Sequence, residues 1–139
     1  MLKWKIVAVL GLTFGLTGVT WGLAQQKPDK RYFELRTYTA QAGKMDPLVA
    51  RFGAATMRLF ERHGMTNVGY WTATTGDNAD RTLIYLMAYP SKQARDASWK
   101  AFGSDPDWKQ LTAETQKDGP LIESITNREM VPTDYSPLK

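Results

Sequence analysis

Alternation of apolar and polar residues along the chain predicts four β-strands. Aromatic and β-branched side chains alternate with polar ones in the first of these segments, which is typical of a strand with two unlike faces. Turn-forming residues separate the second and third segments, so these two are expected to form a hairpin. The predicted strands span Tyr32–Thr39, Met65–Thr75, Thr82–Tyr89 and Leu121–Val131.

Two further segments have the spacing of amphipathic helices. The first covers residues 46–63, where Asp46 is a suitable N-cap and Gly64 follows the last turn, as expected at a helix C-terminus. The second helix is broken in two, over residues 91–102 and 104–117, because a Ser-Asp-Pro sequence opens a new helix at residue 104.

The resulting order is β-α-β-β-α-β, which predicts an α+β domain with a ferredoxin-like antiparallel sheet and helices on one face. The compact residues of the third strand are expected to face the helices: Ile84, Leu86 and Ala88. The larger ones are expected on the opposite face: Leu83, Tyr85, Met87 and Tyr89. Such a face is too apolar to remain in water, so we expect a homodimer with two sheets enclosing a chamber.

The N-terminus has the pattern of an export signal. Lys3 and Lys5 precede 19 uncharged residues, Ile6–Ala24, and small residues precede a cleavage point before Gln25. We therefore predict a signal peptide over residues 1–24, a flexible leader over 25–30, a domain over 31–131 and a loosely held tail over 132–139. The alternative is an uncleaved membrane anchor, since 19 residues in a helix reach about 28 Å.

Charge and cysteine content restrict the class of partner. Loss of Lys3 and Lys5 with the signal lowers the net charge from +4 to +2, and the remaining charges of both signs are interspersed. This pattern predicts no nucleic-acid partner and no membrane association after cleavage. The chain has no cysteine, which excludes disulfides and thiolate chemistry. It contains no phosphate-binding or dinucleotide-binding motif either, and we expect neither a cofactor nor a metal.

The first strand carries the leading catalytic candidates on one face, namely Glu34, Arg36 and Tyr38. A carboxylate accepts a proton, a guanidinium binds an anionic group and a phenol donates a hydrogen bond. We expect all three to face the chamber. The alternative interpretation is that Glu34 and Arg36 form a structural ion pair, since buried charges are normally partnered.

The other candidates are one histidine and a group of large side chains. His63 is the only histidine and a candidate general base or haem ligand, although its place at a helix end also fits inward packing. The candidate ligand-binding residues are aromatic or flexible and apolar: Trp71, Tyr85, Met87 and Tyr89, with Tyr70 beside them. Core or dimer packing explains the same residues.

Several short motifs give the chain a specific resemblance to the NIPSNAP family, within the dimeric α+β barrels. The resemblance covers residues 32–129 and rests on these segments: Phe33-Glu34-Leu35-Arg36-Thr37-Tyr38, Gly43, Arg62-His63-Gly64, Gly69-Tyr70-Trp71, Gly76, Asn78, Tyr89, Arg95 and Asp105-Pro106-Asp107-Trp108. It implies the barrel fold and dimerisation, but no single reaction.

Three functional hypotheses follow. The first is an exported dimer that binds a small apolar or aromatic molecule in its chamber. The second is a cofactor-independent monooxygenase or isomerase of the kind that related barrels support, in which Glu34, Arg36, Tyr38 or His63 handles protons. The third is a protein-interaction module without a ligand.

Overall fold

The computed structural model of the chain describes residues 30–139. The signal peptide and all but the last residue of the leader lie outside this range. Four antiparallel strands form one sheet in the order β2-β3-β1-β4. The strands are β1 (Tyr32–Ala40), β2 (Thr66–Thr72), β3 (Thr82–Tyr89) and β4 (Ile122–Met130). The predicted ferredoxin-like α+β fold is confirmed, with strand positions close to those expected.

The helices cover one face of this sheet and fall into two groups. Between β1 and β2 the chain forms α1 (Met45–Arg51), a π-helical segment (Phe52–Thr56) and α2 (Met57–Arg62). Between β3 and β4 it forms α3 (Lys92–Ser104) and α4 (Pro106–Thr115). The break before residue 106 is confirmed, and Asp105 caps α4 by accepting a hydrogen bond from the Asp107 amide at 2.8 Å.

The π-helical segment, called here the π turn, was not predicted, and its cause lies in the spacing of the buried residues. The buried side chains Leu48, Phe52, Thr56 and Phe60 follow one another at intervals of four. In a regular α-helix of 3.6 residues per turn, this spacing drifts by about 40° at each step. A π turn takes more residues per turn, so it keeps the four side chains on one side. The Thr56 hydroxyl donates to the Arg51 carbonyl at 3.1 Å across this turn.

The two faces of the sheet are reversed relative to the prediction. Leu83, Tyr85, Met87 and Tyr89 of β3 lie beneath the helices and are at most 3% exposed. Tyr85 contacts Phe52 and Phe60 there, with ring centroids 5.2 and 6.0 Å apart. The expectation that Ile84, Leu86 and Ala88 face the helices was therefore wrong. Large rings fill the gap under the helices, and their hydroxyls find buried partners there, so full burial is tolerated.

The opposite face, called here the open face, carries no helix. Its register places Phe33 opposite Ala88 and Leu35 opposite Leu86, so it remains largely apolar. The C-terminal tail, residues 132–139, packs along part of this face. Val131, Leu138 and neighbouring tail residues line a groove of about 260 Å³ with Phe33 and Leu86.

The tail is held more closely than predicted. The Arg31 Nε donates to the Lys139 carbonyl at 2.7 Å, and Lys30 pairs with Asp134 at 2.5 Å. These contacts lay the end of the chain beside the start of β1. In the range 30–139, no helix has the length and apolar character needed to cross a membrane.

Candidate functional site

Glu34 lies at the centre of a buried polar network between the sheet and the helices. Its side chain is fully buried. Five side chains donate hydrogen bonds to its two oxygens: Arg36 at 3.1 Å, Arg95 at 2.5 and 3.2 Å, Trp99 at 2.7 Å, Asn127 at 3.0 Å and Tyr89 at 3.1 Å. These donors come from β1, β3, α3 and β4. The carboxylate thus joins every layer of the domain.

The surroundings of Glu34 fix its charge. Burial by itself raises the pKa of a carboxyl group. Here the hydrogen bonds from Arg95, Trp99 and Asn127, together with the positive charge of Arg36, outweigh burial and lower the pKa to about 2. The carboxylate is therefore ionised at neutral pH, and its oxygens are already occupied. A general base needs a higher affinity for the proton, so this geometry suits an anchoring role for Glu34.

Arg36 connects Glu34 with a pair of tyrosine hydroxyls. Its guanidinium lies over the Trp99 ring at 4.3 Å and donates to the Tyr38 hydroxyl at 3.3 Å. The Tyr85 hydroxyl donates to the same oxygen at 2.8 Å. Because the Tyr38 oxygen accepts both bonds, its own proton is left for a further acceptor.

The sequence candidates on β1 therefore do come together, but in a place other than the one predicted. Glu34, Arg36 and Tyr38 lie under the helices, and the expectation that they face a chamber between two sheets was wrong. The alternative interpretation, an ion pair between Glu34 and Arg36, is confirmed at 3.1 Å. Alternation placed the three on one face correctly, but it does not say which face the helices cover.

The predicted ligand-binding residues are divided between the two faces. Tyr85, Met87 and Tyr89 are each 0% exposed under the helices. Burial is the main cause that raises the pKa of Tyr85 and of Tyr89, so both remain neutral hydrogen-bond donors. Trp71 lies on the open face and is 52% exposed. Its indole covers Gly69, where an added Cβ would come within 2.5 Å of the ring.

His63 belongs to a separate cluster. Its Nε2 lies 2.6 Å from the carboxylate of Asp105, and its ring meets Phe102 edge-on, with centroids 6.2 Å apart. The hydrogen bond from His63 is the main cause of the lowered pKa of Asp105. The structure does not bring His63 to Glu34, Arg36 or Tyr38. Its contacts tie the end of α2 to the start of α4.

Three members of the network were not among the functional candidates, namely Arg95, Trp99 and Asn127. Tyr89 was a candidate, but it was expected in a ligand pocket rather than on a carboxylate. Arg95 stands among the residues that carry the family resemblance, and this was the signal that could have placed it at the site. Asn127 lies on β4 directly opposite Arg36. Nothing in its local sequence distinguishes it from any other strand residue.

The site offers little to a metal ion. In the part of the chain that the structure describes, no three side chains among His, Asp and Glu are grouped closely enough to hold one. Glu34 is the carboxylate of the network, and its oxygens accept bonds from two guanidinium groups. Donors outnumber acceptors here. The site therefore suits an oxygen-bearing organic ligand better than a cation.

Strand order and helix placement together define the class of this protein. An antiparallel β2-β3-β1-β4 sheet with paired helices on one face is an α+β fold that this chain shares with solved NIPSNAP family proteins and with a monooxygenase. Residues 33–137 match the family model of NIPSNAP. The chain belongs to the NIPSNAP family.

Individual relatives agree with this assignment. A NipSnap protein of Caenorhabditis elegans is 27% identical over 119 residues, which are 86% of this chain and 21% of that protein. The chain thus spans about a fifth of the length of this curated relative. A NIPSNAP family protein of Agrobacterium tumefaciens is 25% identical, with a TM-score of 0.69 over 78% of this chain and 99% of the other.

A more distant structure shares the fold alone. A monooxygenase of Streptomyces coelicolor, solved in complex with nanaomycin D, is 16% identical to this chain. The two superpose with a TM-score of 0.55 over 81% of this chain and 96% of the monooxygenase.

Proposed function

We propose that this protein is an exported, homodimeric NIPSNAP domain that binds a small aromatic or apolar molecule between its helices and its sheet. The observation that carries the proposal is the surroundings of Arg36. Its side chain is 13% exposed, so it is not fully closed off from solvent as Glu34 is. The rings of Trp99 and Tyr38 flank it at 4.3 and 5.5 Å. A few fixed polar groups within an aromatic lining are typical of small-molecule sites.

Glu34 supports this proposal through the rigidity it gives to Arg36. A guanidinium held by a buried carboxylate is kept in one orientation, and a fixed donor costs a ligand less entropy on binding. Arg95 and Trp99 hold the same carboxylate from α3, so the network also fixes the helix against the sheet. The orientation of Arg36 is thereby fixed by contacts within the protein itself.

A homodimer is proposed because the open face needs a cover. Ile84, Leu86 and Trp71 lie on it, and the register pairs Trp71 with Ile84. A second copy of this chain is the natural occupant, since the shared fold is that of the dimeric α+β barrels and an apolar face of a sheet is stable when it is packed. The residues of this interface differ from those first predicted, because the faces are reversed.

An enzymatic function is the second candidate, and the hydroxyl pair of Tyr38 and Tyr85 favours it. The two hydroxyl oxygens are 2.8 Å apart and lie beside the Arg36 guanidinium. Such a pair can donate a proton to a bound substrate. A cofactor-independent monooxygenase or isomerase would use such a pair. Glu34 would then serve to position Arg36.

Native mass spectrometry of the protein, isolated as its own cells process it, tests the proposal. The expected mass is that of a dimer whose subunits begin at Gln25, with a small molecule retained. Conversion of the retained molecule on incubation in air favours the enzymatic candidate. A monomer without ligand would contradict both, and a subunit that begins at Met1 would replace export with membrane anchoring.

A matched pair of variants locates the ligand. Arg36→Gln should reduce retention at least tenfold, because it removes the charged donor between the Trp99 and Tyr38 rings. Arg58→Gln, at an exposed arginine of α2, should leave retention unchanged. Equal retention in both variants would place the ligand elsewhere.

A further inference from the structure

Arg51 is a buried arginine that lacks an acidic partner within residues 30–139. It lies at the end of α1, directly before the π turn, and is 4% exposed. Arg36 and Arg95 both pair with Glu34, but no ion pair within this range involves Arg51. Buried charges in proteins are nearly always paired, because moving an ion from water into the protein interior costs on the order of several kcal/mol. The position of Arg51 therefore requires an explanation.

The surroundings of Arg51 are aromatic. Its guanidinium lies 5.3 Å from the Trp108 ring on α4. The ring of Phe52, the next residue, is 5.8 Å from Tyr38 and 5.2 Å from Tyr85. Burial lowers the pKa of Arg51, and the nearby phenols of Tyr38 and Tyr85 oppose this. Phe52, the neighbour of Arg51, thus packs against the two tyrosines from the helices, and Arg36 contacts Tyr38 from the sheet.

Within residues 30–139, three buried polar side-chain atoms lack partners, and two of them belong to these arginines: the Nε atoms of Arg36 and Arg51 and the Oγ1 of Thr112. Thr112 lies one helical turn after Trp108, on the same side of α4, and the Arg51 guanidinium lies 5.3 Å from the Trp108 ring. Buried polar groups without partners are rare in folded proteins, and these three are donors or hydroxyls.

We propose that Arg51, together with Arg36, binds the anionic oxygen of the ligand, so that the protein selects an aromatic acid. This inference rests on the proposed function and names the class of its ligand. A carboxylate accepts two parallel hydrogen bonds from a guanidinium, and it supplies the negative charge that Glu34 does not give to Arg51. The rings of Phe52, Trp99 and Trp108 suit the aromatic part of such a molecule.

One consequence separates this role from a structural one. A buried charge whose partner is the ligand destabilises the ligand-free protein. An apolar residue of similar length at the same position should therefore stabilise the ligand-free protein. Arg51→Met is therefore expected to raise the midpoint of thermal unfolding and to weaken binding of the acid. A structural arginine would give a lower midpoint.

Isothermal titration calorimetry with two probes of equal shape tests the inference. The probes are 2-naphthoate, which is an anion, and 2-naphthamide, which is neutral. The wild-type protein should bind the naphthoate at least tenfold more tightly than the amide. Arg51→Met should abolish this preference by weakening naphthoate at least tenfold and leaving the amide unchanged. Arg58→Met, which removes an exposed arginine of α2, should retain the preference.

Each contrary result has a distinct meaning. Equal binding of both probes, unaltered by Arg51→Met, would overturn the inference and leave a neutral aromatic ligand for the proposed function. Binding of neither probe would also overturn it, while native mass spectrometry still decides the proposed function. If Arg51→Met fails to fold, Arg51→Lys should fold and lose part of the preference. Failure of both variants to fold would make Arg51 structural.

Discussion

Trp99 and Glu34 are joined across the interface of helix and sheet by a hydrogen bond of 2.7 Å from the indole Nε1 to Oε2. The same indole lies beneath the Arg36 guanidinium at 4.3 Å. One side chain of α3 therefore contacts both members of the ion pair on β1. The position of α3 on the sheet and the geometry of the candidate site depend on the same contact.

Replacement of Trp99 by phenylalanine should reveal this contact. Trp99→Phe keeps an aromatic ring under Arg36 and removes the N–H group, which should lower the free energy of unfolding by about 2 kcal/mol, since hydrogen bonds to charged groups contribute about that much. Urea denaturation gives the value. Tyr135→Phe, at a side chain that is 89% exposed, is the control and should change little.

Neutralising Glu34 should have a larger effect. Glu34→Gln leaves Arg36 without a counter-charge in the interior, whereas Arg95 keeps Asp96 at 3.0 Å. Breaking a buried ion pair from one side costs about 3–5 kcal/mol. Chemical denaturation should show this loss, whereas Glu114→Gln on the exposed side of α4 should remain within about 0.5 kcal/mol of the wild type. A Glu34→Gln protein as stable as the wild type would rule out the network as a source of stability.

The lowered pKa of Glu34 predicts the direction of the pH dependence. The carboxyl group has a pKa of 4.5 in the unfolded chain and about 2 in the folded protein. Its contribution is complete above pH 4.5 and is lost as the pH falls through about 2. The difference corresponds to about 3 kcal/mol.

Denaturation measured at several pH values should show this loss between pH 4.5 and 2. The Glu34→Gln variant should lack that part of the pH dependence. If the two proteins lose stability in parallel over this range, other carboxyl groups are responsible.

Substitution on the open face tests the homodimer. Ile84→Lys places a charge among apolar residues that face the second copy, so we expect a monomer with an intact fold. Ala113→Lys, on the exposed side of α4, adds the same charge away from the interface. Sedimentation equilibrium of both variants, compared with the wild type, gives the mass in solution. Persistence of the dimer in the Ile84 variant would place the interface elsewhere.

His63 offers a test of what lies outside the site. His63→Gln should lower the midpoint of thermal unfolding by less than Glu34→Gln does, because the bond to Asp105 joins two helix ends. Retention of the ligand in native mass spectrometry should be unchanged. Loss of the ligand without loss of stability would return His63 to the catalytic candidates.

The sequence predicted the elements well and their orientation poorly. The first strand was expected over residues 32–39 and is found at Tyr32–Ala40, because alternation is a local property that survives in the fold. However, alternation only separates the residues of a strand into two faces and does not indicate which face the helices cover. What decides the face of Glu34 is the supply of donors from Arg95 and Trp99, some sixty residues further along the chain.

The site was predictable only in part for a similar reason. Glu34, Arg36 and Tyr38 share a strand, so their spacing identified them. Arg51 and Asn127 reach the region from separate elements, and nothing in their local sequence sets them apart from surface residues. The π turn arises from the packing of Phe52 and Phe60 against the sheet, which becomes visible only when the layers are assembled.

The π turn and Arg51 stand side by side, but they differ in what they do for thermal stability. The π turn keeps buried side chains on the core side, whereas Arg51 is a buried charge without an acidic partner within residues 30–139. A laboratory selection for heat resistance alone should therefore favour apolar replacements of Arg51. The variants enriched by such a selection would unfold at higher temperatures and would no longer bind an acidic ligand.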